Sequence, residues 1–273
     1  MTIPQSLISY TRDHPIMHHY RERVPSFLRF QVVDNFFHVS HMIAFLYSLP
    51  ENFHFTDIMK SLEVKRGFRL KMQFQEKIPS SWPLIVVANH PHILVDQFSL
   101  WSLLELARPK SEIRVITDNV PDGFDSIYPF SEKVGKTPEE KSQFRKNINT
   151  LLQNNGTLIV FPSGKLTYRN WITGMTIEDR WRTGAIHFAQ YNGCPILPVY
   201  ISSKTTFIYN LFSNFCSRAY MQNLNFRQAL KKEMYIGLTV WNPIFSVDSN
   251  ITGESLRDSV YELWDESYIL MKR

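Results

Sequence analysis

Short apolar runs recur along the chain, separated by amphipathic stretches. Residues 84–88 (LIVVA) and 157–161 (TLIVF) are continuous apolar runs, the pattern of strands buried on both faces. Residues 68–74 (FRLKMQF) alternate apolar and polar positions, as a half-buried strand does. IRVIT at 113–117, ILPVYI at 196–201 and EMYIGLTV at 233–240 read as further strands. Helical patterns fill the intervals. One covers 54–62 and ends before Lys65 and Arg66. Another is QFSLWSLLELA at 97–107. A third starts at Pro138 and stops at Gly156. A fourth, TGAIHFAQYNG, is closed by Gly193, and a last one runs from about 252 to 270. Residues 22–48 read as helical ahead of the first strand. Strands alternating with helices predict an α/β fold, a layered αβα arrangement with a mostly parallel central sheet and an N-terminal helical preface. Repeats, low-complexity runs and Gly/Ser linkers are absent. The expected organisation is therefore an N-terminal helical segment over 1–66, able to contact a membrane, followed by one integrated structural unit over 67–273.

Composition narrows the partners. The 273 residues are 44% hydrophobic, enough for a sizeable core, and 20% charged, which excludes a disordered chain or a membrane-embedded bundle. A net charge of +5 permits attraction to anionic lipid, but no recognition motif or basic stripe points to nucleic acid. Cys194 and Cys216 cannot build a disulfide framework, which fits a reduced compartment. Aromatic residues make up 14% of the chain, suiting either an aromatic core or a membrane interface. The N-terminus lacks the basic and apolar regions of a secretory signal. The stretches without Asp, Glu, Lys or Arg at 35–50, 78–95 and 183–203 are short, or broken by proline and histidine, so none reads as a clean span. Residues 35–50 and 205–217 are candidates for interfacial contact; helices packed on the core are the alternative.

In a parallel sheet, ligands bind beyond the carboxyl ends of the strands. That directs attention to Asn89-His90-Pro91-His92-Ile93-Leu94-Val95-Asp96 and to Pro162-Ser163-Gly164-Lys165. His90 leaves a buried strand directly into a loop, and Asp96 lies six residues on, near the next helix. A carboxylate reaching back to one imidazole nitrogen leaves the other facing the cleft as a general base. No Ser or Cys nucleophile is needed if the substrate brings its own hydroxyl. His90 and His92 also form an HxH pair, a pattern of some metal sites. A metal would require further ligands at neighbouring strand ends, where Pro162, Ser163, Gly164 and Lys165 stand instead, and His187 lies within a helix. No metal is therefore expected, and His18 and His19 read as surface. The Pro-Ser-Gly turn after TLIVF could direct backbone N–H groups at an oxyanion or phosphate, with Lys165 and Arg169 adding charge. An ordinary strand-ending turn is the plainer reading. Trp181-Arg182-Thr183-Gly184-Ala185 and Cys194-Pro195-Ile196-Leu197-Pro198-Val199 by themselves say only helix, turn and strand.

Taken in order, these blocks resemble the glycerolipid and lysophospholipid acyltransferase superfamily, the 1-acylglycerol-3-phosphate acyltransferase-like enzymes. The closer likeness is to its hemolysin-like subgroup, related to the acyltransferases of ornithine-lipid synthesis. That subgroup's first block, NHPxGxxDG, is similar to Asn89 through Gln97, with five residues between His and Asp. Its FPAG block is similar to Phe161-Pro162-Ser163-Gly164, its W-K-x-G segment to Trp181-Arg182-Thr183-Gly184, and its P-x-x-P-V block to Pro195 through Val199. VWNPI at 240–244 stands where a strand ending in G-x-P-I is expected. The resemblance runs from about residue 67 to the C-terminus.

It implies transfer of a fatty acyl group from an acyl-CoA or acyl carrier protein thioester to a lipid hydroxyl. His90 would be the base and Asp96 its support. Asn89, Pro162, Ser163, Gly164, Lys165, Arg169 and Arg182 would line the substrate site. No cofactor is implied beyond the thioester co-substrate. The implied location is the cytoplasmic face of a membrane, peripheral or shallowly inserted. Ile93 and Gln97 stand where the subgroup has glycines. Ser163, Lys165 and Leu166 stand where better known members carry Glu and Thr-Arg, residues tied to a phosphate-bearing acceptor. The family's second block has no clear match between 118 and 136, leaving Lys133, Lys136 and Arg145 as candidates for its arginine. A thioesterase using the same dyad on water and an inactive lipid-binding relative are the alternatives. Retention of both His90 and Asp96 argues against the latter.

Overall fold

The computed structural model describes residues 53–66, 68–92, 94–117, 130–169, 176–203, 211, 235–248 and 250–263. The expected helix at 22–48, the interfacial candidate at 35–50 and all of 205–217 except Leu211 lie outside them.

Helix α1 (Phe55–Arg66) precedes strand β1 (Arg69–Gln73) and strand β2 (Leu84–Ala88). Helix α2 (Val95–Ala107), strand β3 (Ile113–Thr117), strand β4 (Ser131–Lys133) and helix α3 (Pro138–Gln153) follow. Strand β5 (Thr157–Val160) leads to a small hairpin, β6 (Tyr168–Arg169) and β7 (Thr176–Ile177). Helix α4 (Gly184–Asn192), the long strand β8 (Ile196–Ser203), strand β9 (Tyr235–Val240) and helix α5 (Gly253–Tyr261) complete the described chain.

Seven strands form one sheet in the order β1-β9-β8-β2-β5-β3-β4. The five strands from β8 to β4 are parallel, whereas β9 pairs with β8 antiparallel and β1 pairs with β9 parallel. The sheet is thus mixed and mostly parallel, with helices on both faces, as the alternation of elements predicts. Strand β2 sits in the middle and explains its own sequence. Leu84, Val86 and Ala88 face one core, and Ile85 and Val87 face the other, so no position remains for a polar residue.

The first core takes up α1 and α2. Phe53, Phe55, Phe98, Trp101 and Phe130 pack ring on ring there, with centroids 4.7–5.6 Å apart. Part of the aromatic excess is therefore core. Helix α1 runs through Lys65 and Arg66 rather than ending before them, and Glu105 of α2 caps its start by accepting from the N–H groups of Phe55 and Thr56. The second core takes up α3, α4 and α5.

Helix α3 starts where the sequence says, on a capping box between Thr137 and Glu140 with Pro138 next. Its end differs in mechanism. The left-handed residue is Asn155, at φ 60°, not Gly156. Gly156 is required by crowding, since a Cβ there would lie 2.4 Å from Leu151 Cδ1. The short strands β4, β6 and β7 carry too few residues to show a period, and the sequence reading does not contain them.

Candidate active site

The carboxyl ends of β2, β5 and β8 lie side by side, because these neighbours run parallel. The chain enters β5 on one side of β2 and then crosses to β8 on the other. In open α/β sheets such a reversal is where a ligand crevice forms. Asn89 and His90 are the first residues beyond β2.

Asn89 is 2% exposed, and its amide is fully engaged. Its Nδ2 donates to Ile201 O at 2.9 Å, and its Oδ1 accepts from Ile201 N at 2.7 Å. The side chain thus extends the β2–β8 ladder by one rung and leaves the next residue, His90, at a fixed exit angle.

His90 keeps 13% of its side chain exposed, and its Nδ1 lies 2.9 Å from Asp96 Oδ2. Asp96 has no exposure at all. The same Oδ2 accepts the His92 backbone N–H at 2.6 Å. Helix α2 starts at Val95, two residues earlier than the sequence pattern suggests, so Asp96 occupies its first turn, where the helix dipole favours a negative charge. Leu94, buried in the first core, takes φ 57° to close the loop between the pair. That left-handed conformation is strained for leucine, and the loop is held by the contacts at its two ends. Burial pushes the Asp96 carboxyl above the usual carboxylate range, against the hydrogen bonds from His90 and His92. Its Oδ1 is buried with no hydrogen-bond partner among the described residues.

His92 is buried and paired through Nε2 with the Ser203 hydroxyl at the end of β8. Burial, with His90 close by, lowers its pKa to about 3, so it is neutral at physiological pH. Among the described residues no three His, Cys, Asp or Glu side chains are grouped so that they could hold a metal ion.

The turn after β5 forms the opposite wall. The Phe161 ring stacks on the His90 ring at 4.0 Å between centroids and 18° between planes. Thr167 N donates to His90 O at 2.9 Å. Gly164 sits at φ 62°, which the turn requires, and its own N–H is turned back to Phe161 O at 2.9 Å. Ser163 is buried, and its hydroxyl donates to Lys165 O at 2.8 Å.

Residues 178–182 return from the β6–β7 hairpin and clasp this turn. Lys165 Nζ meets Asp179 Oδ2 at 2.7 Å. Arg182 N donates to Pro162 O at 3.0 Å, and the Arg182 guanidinium lies about where a Gly164 Cβ would be in contact, 3.3–3.5 Å away. Trp181, at 2% exposure, anchors the clasp in the second core.

The expected residues therefore fall into groups. His90, Asp96 and the Phe161–Gly164 turn come together, with Arg182 against Gly164. Lys165, 61% exposed, is joined to Asp179. Asn89 is committed to backbone. Arg169 closes β6, and its side chain lies outside the described part of the structure. Sequence reading missed Phe161 as a wall of the site, the Ser203–His92 pair, and Asp179 and Glu178 in the clasp. Only the position of Phe161, directly beyond a buried strand, could have signalled one of them.

The fold is α/β, and the candidate site lies at the carboxyl edge of its mostly parallel sheet. A family model described as Acyltransferase matches residues 69–202, from β1 nearly to the end of β8, and so spans the site residues named above except Ser203. That segment belongs to the acyltransferase family, and the enzyme is an acyltransferase. Among solved structures, the chain is similar to the crystal structure of the 1-acyl-sn-glycerophosphate (LPA) acyltransferase PlsC from Thermotoga maritima. The two share 14% identity with a TM-score of 0.47, over 95% of this chain and 97% of that one. No curated protein sequence matches.

Proposed function

We propose that this acyltransferase moves a fatty acyl group from an acyl-CoA or acyl carrier protein thioester to a hydroxyl of a glycerolipid, a lysophospholipid or a related lyso-lipid. The observation that carries this reading is the 2.9 Å contact between the partly exposed His90 and the buried Asp96 at the end of a central strand. His90 Nε2 takes the proton of the acceptor hydroxyl, whose oxygen attacks the thioester carbonyl carbon. The C–S bond breaks, and the departing thiolate takes the proton from the imidazolium. Asp96 holds the tautomer that presents Nε2 and stabilises the imidazolium. Asn89 acts by fixing where His90 leaves the strand. The Pro162-Ser163-Gly164 turn bounds the site, and Lys165, Arg169 and Arg182 supply positive charge for an anionic part of donor or acceptor. The five-residue spacing of the His90–Asp96 block supports the hemolysin-like subgroup. With Ser163 and Lys165 in the third block, a lyso-lipid without a phosphate monoester is the preferred acceptor over lysophosphatidic acid.

The enzyme works at the cytoplasmic face of a membrane, peripheral or shallowly inserted. No helix among the described residues is long and apolar enough to cross one. Residues 1–66 serve as the membrane-contacting preface and 67–273 as the catalytic unit; of the former, α1 lies on the first core through Phe55, Ile58 and Met59.

Mass spectrometry of lipids from cells expressing wild type or His90→Ala at matched levels tests this. A lipid class that gains one acyl chain only with wild type is the expected result. Purified enzyme given acyl-CoA or acyl carrier protein thioester with a panel of lyso-lipids completes it. Release of free fatty acid without any acylated lipid would make the protein a hydrolase instead.

A further inference from the structure

The loop that carries the reactive pair is tied to one strand at two places. Asn89 bonds both backbone groups of Ile201 on β8, at 2.9 and 2.7 Å. Three residues on, the His92 imidazole bonds the Ser203 hydroxyl through Nε2, two residues further along the same strand. This second tie falls inside the pair, since His92 stands between His90 and Asp96 in the chain. His92 is 1% exposed, so its ring is shielded from water. The anchor is held in turn by the sheet. Ser203 is paired with Ile236 of β9, and the neighbouring Ser202 hydroxyl donates to Gly237 O at 3.3 Å.

What hangs on this tie is the carboxylate. The His92 backbone N–H donates to Asp96 Oδ2 at 2.6 Å, and the same oxygen lies 2.9 Å from His90 Nδ1. Between His92 and Asp96 the chain passes through Leu94 at φ 57°, which leucine keeps only where its surroundings force it. A loop under that strain relaxes unless both of its ends are fixed. Asp96 is fixed by α2, and His92 by Ser203.

A serine hydroxyl on a histidine nitrogen is also the arrangement of a nucleophile and its base. The surroundings of His92 speak against that use. Its Nδ1 has no hydrogen-bond partner among the described residues, so nothing there would support a positive ring. Burial, with His90 close by, lowers its pKa to about 3. A base must keep the proton it removes, and this ring does not.

We propose that His92 and Ser203 are positioning residues for acyl transfer, whose side-chain contact fixes the His92 N–H and through it holds Asp96 Oδ2 against His90. The kinetic consequence rests on the acyl-transfer reading, whereas the placement of Asp96 does not.

Steady-state kinetics of thiol release from acyl-CoA with a lyso-lipid acceptor test this in the full-length protein. Ser203→Ala should lower kcat about tenfold and leave both KM values within about threefold, because a displaced Asp96 weakens the transition state more than ground-state binding. Ser203→Thr keeps the hydroxyl and should recover to within about threefold of wild type. From the other side, His92→Gln, whose amide can still meet Ser203, should behave like Ser203→Thr, and His92→Leu like Ser203→Ala. In Asp96→Asn, where the charge to be placed is gone, adding Ser203→Ala should cost less than about twofold more. A wild-type kcat in Ser203→Ala overturns the proposal. An equal loss in the wild-type and Asp96→Asn backgrounds, as a merely structural role would give, overturns it too. Labelling of wild type but not Ser203→Ala by a fluorophosphonate would make Ser203 a nucleophile and has the same effect.

Proton NMR of the imidazoles supplies a readout independent of turnover. The His90 Nδ1 proton, identified by its absence from His90→Ala, should give a low-field resonance in wild type and Ser203→Thr that moves upfield or is lost in Ser203→Ala. A resonance unchanged in Ser203→Ala, or missing from wild type, overturns the brace. If the signal behaves as expected while no form of the protein acylates any lyso-lipid, the acyl-transfer reading falls and the brace stands. If wild type acylates and Ser203→Ala loses nothing, the brace falls and the acyl-transfer reading stands.

Discussion

Replacing Asp96 with asparagine separates catalysis from stability at one position. The carboxylate lies against His90 with no exposure, 2.9 Å from Nδ1. Asparagine keeps the shape, and one oxygen can still accept from His90 Nδ1 and the His92 N–H. What disappears is the charge that, in the proposed mechanism, stabilises the imidazolium once His90 has taken a proton. With charge centres about 4 Å apart and an effective dielectric near 20, that interaction is worth about 4 kcal/mol. In rate that is roughly a thousandfold loss of kcat. Folding should respond far less. Wild type already carries a desolvated carboxylate whose Oδ1 has no partner among the described residues, and burial raises its pKa. Asparagine relieves the buried charge and leaves an amide donor there instead, so the two effects oppose and the net change should stay within about 2 kcal/mol. The assay is thiol release from acyl-CoA with a saturating lyso-lipid acceptor, beside urea denaturation of the same preparation. A kcat within tenfold of wild type would refute the role of Asp96. A collapse of stability by more than about 4 kcal/mol would show that the carboxylate is structural, not supportive of a base.

Three further substitutions probe the surroundings. Asn89→Ala strands the buried N–H and C=O of Ile201 and should cost about 2–5 kcal/mol in chemical denaturation; a loss below about 1 kcal/mol would remove its splicing role. Gly164→Ala forces a side chain into φ 62°, with the Arg182 guanidinium 3.3–3.5 Å from the new Cβ, and should cost about 1–2 kcal/mol; an unchanged urea midpoint would contradict the geometry. His92, held neutral with its pKa lowered to about 3, binds a proton in the unfolded chain but not in the folded one between pH 6.5 and 3. Stability from this group is complete above 6.5 and lost as pH falls. Between pH 7.5 and 5 the loss is about 2 kcal/mol, which His92→Gln should abolish. Glu178 acts in the opposite sense, because its raised pKa makes the folded state the better proton binder between 4.5 and about 7. The comparison is therefore the pH slope of His92→Gln against wild type, and equal slopes would sink it.

Much of this protein is legible in its sequence, for reasons that are local. A run such as LIVVA has no polar position because both faces of β2 are covered, and that alone announces a central parallel strand. Thr137, Pro138 and Glu140 write the start of α3 because capping involves only neighbouring residues. His90 and Asp96 are close in sequence and joined by one loop, so their meeting follows from a strand followed by a helix. Chain pattern alone could not decide which distant segments share a wall. The antiparallel entry of β9, the rung that Asn89 forms with Ile201, the Phe161 ring on His90 and the clasp of Glu178, Asp179 and Arg182 around the turn join residues up to 112 apart. Such contacts depend on how the sheet orders its strands and how the hairpin folds back, and no periodicity encodes either. The sequence determined the longer strands, the start of α3 and the nearness of His90 to Asp96; the tertiary structure decided what surrounds that pair, because those neighbours come from distant strands and turns.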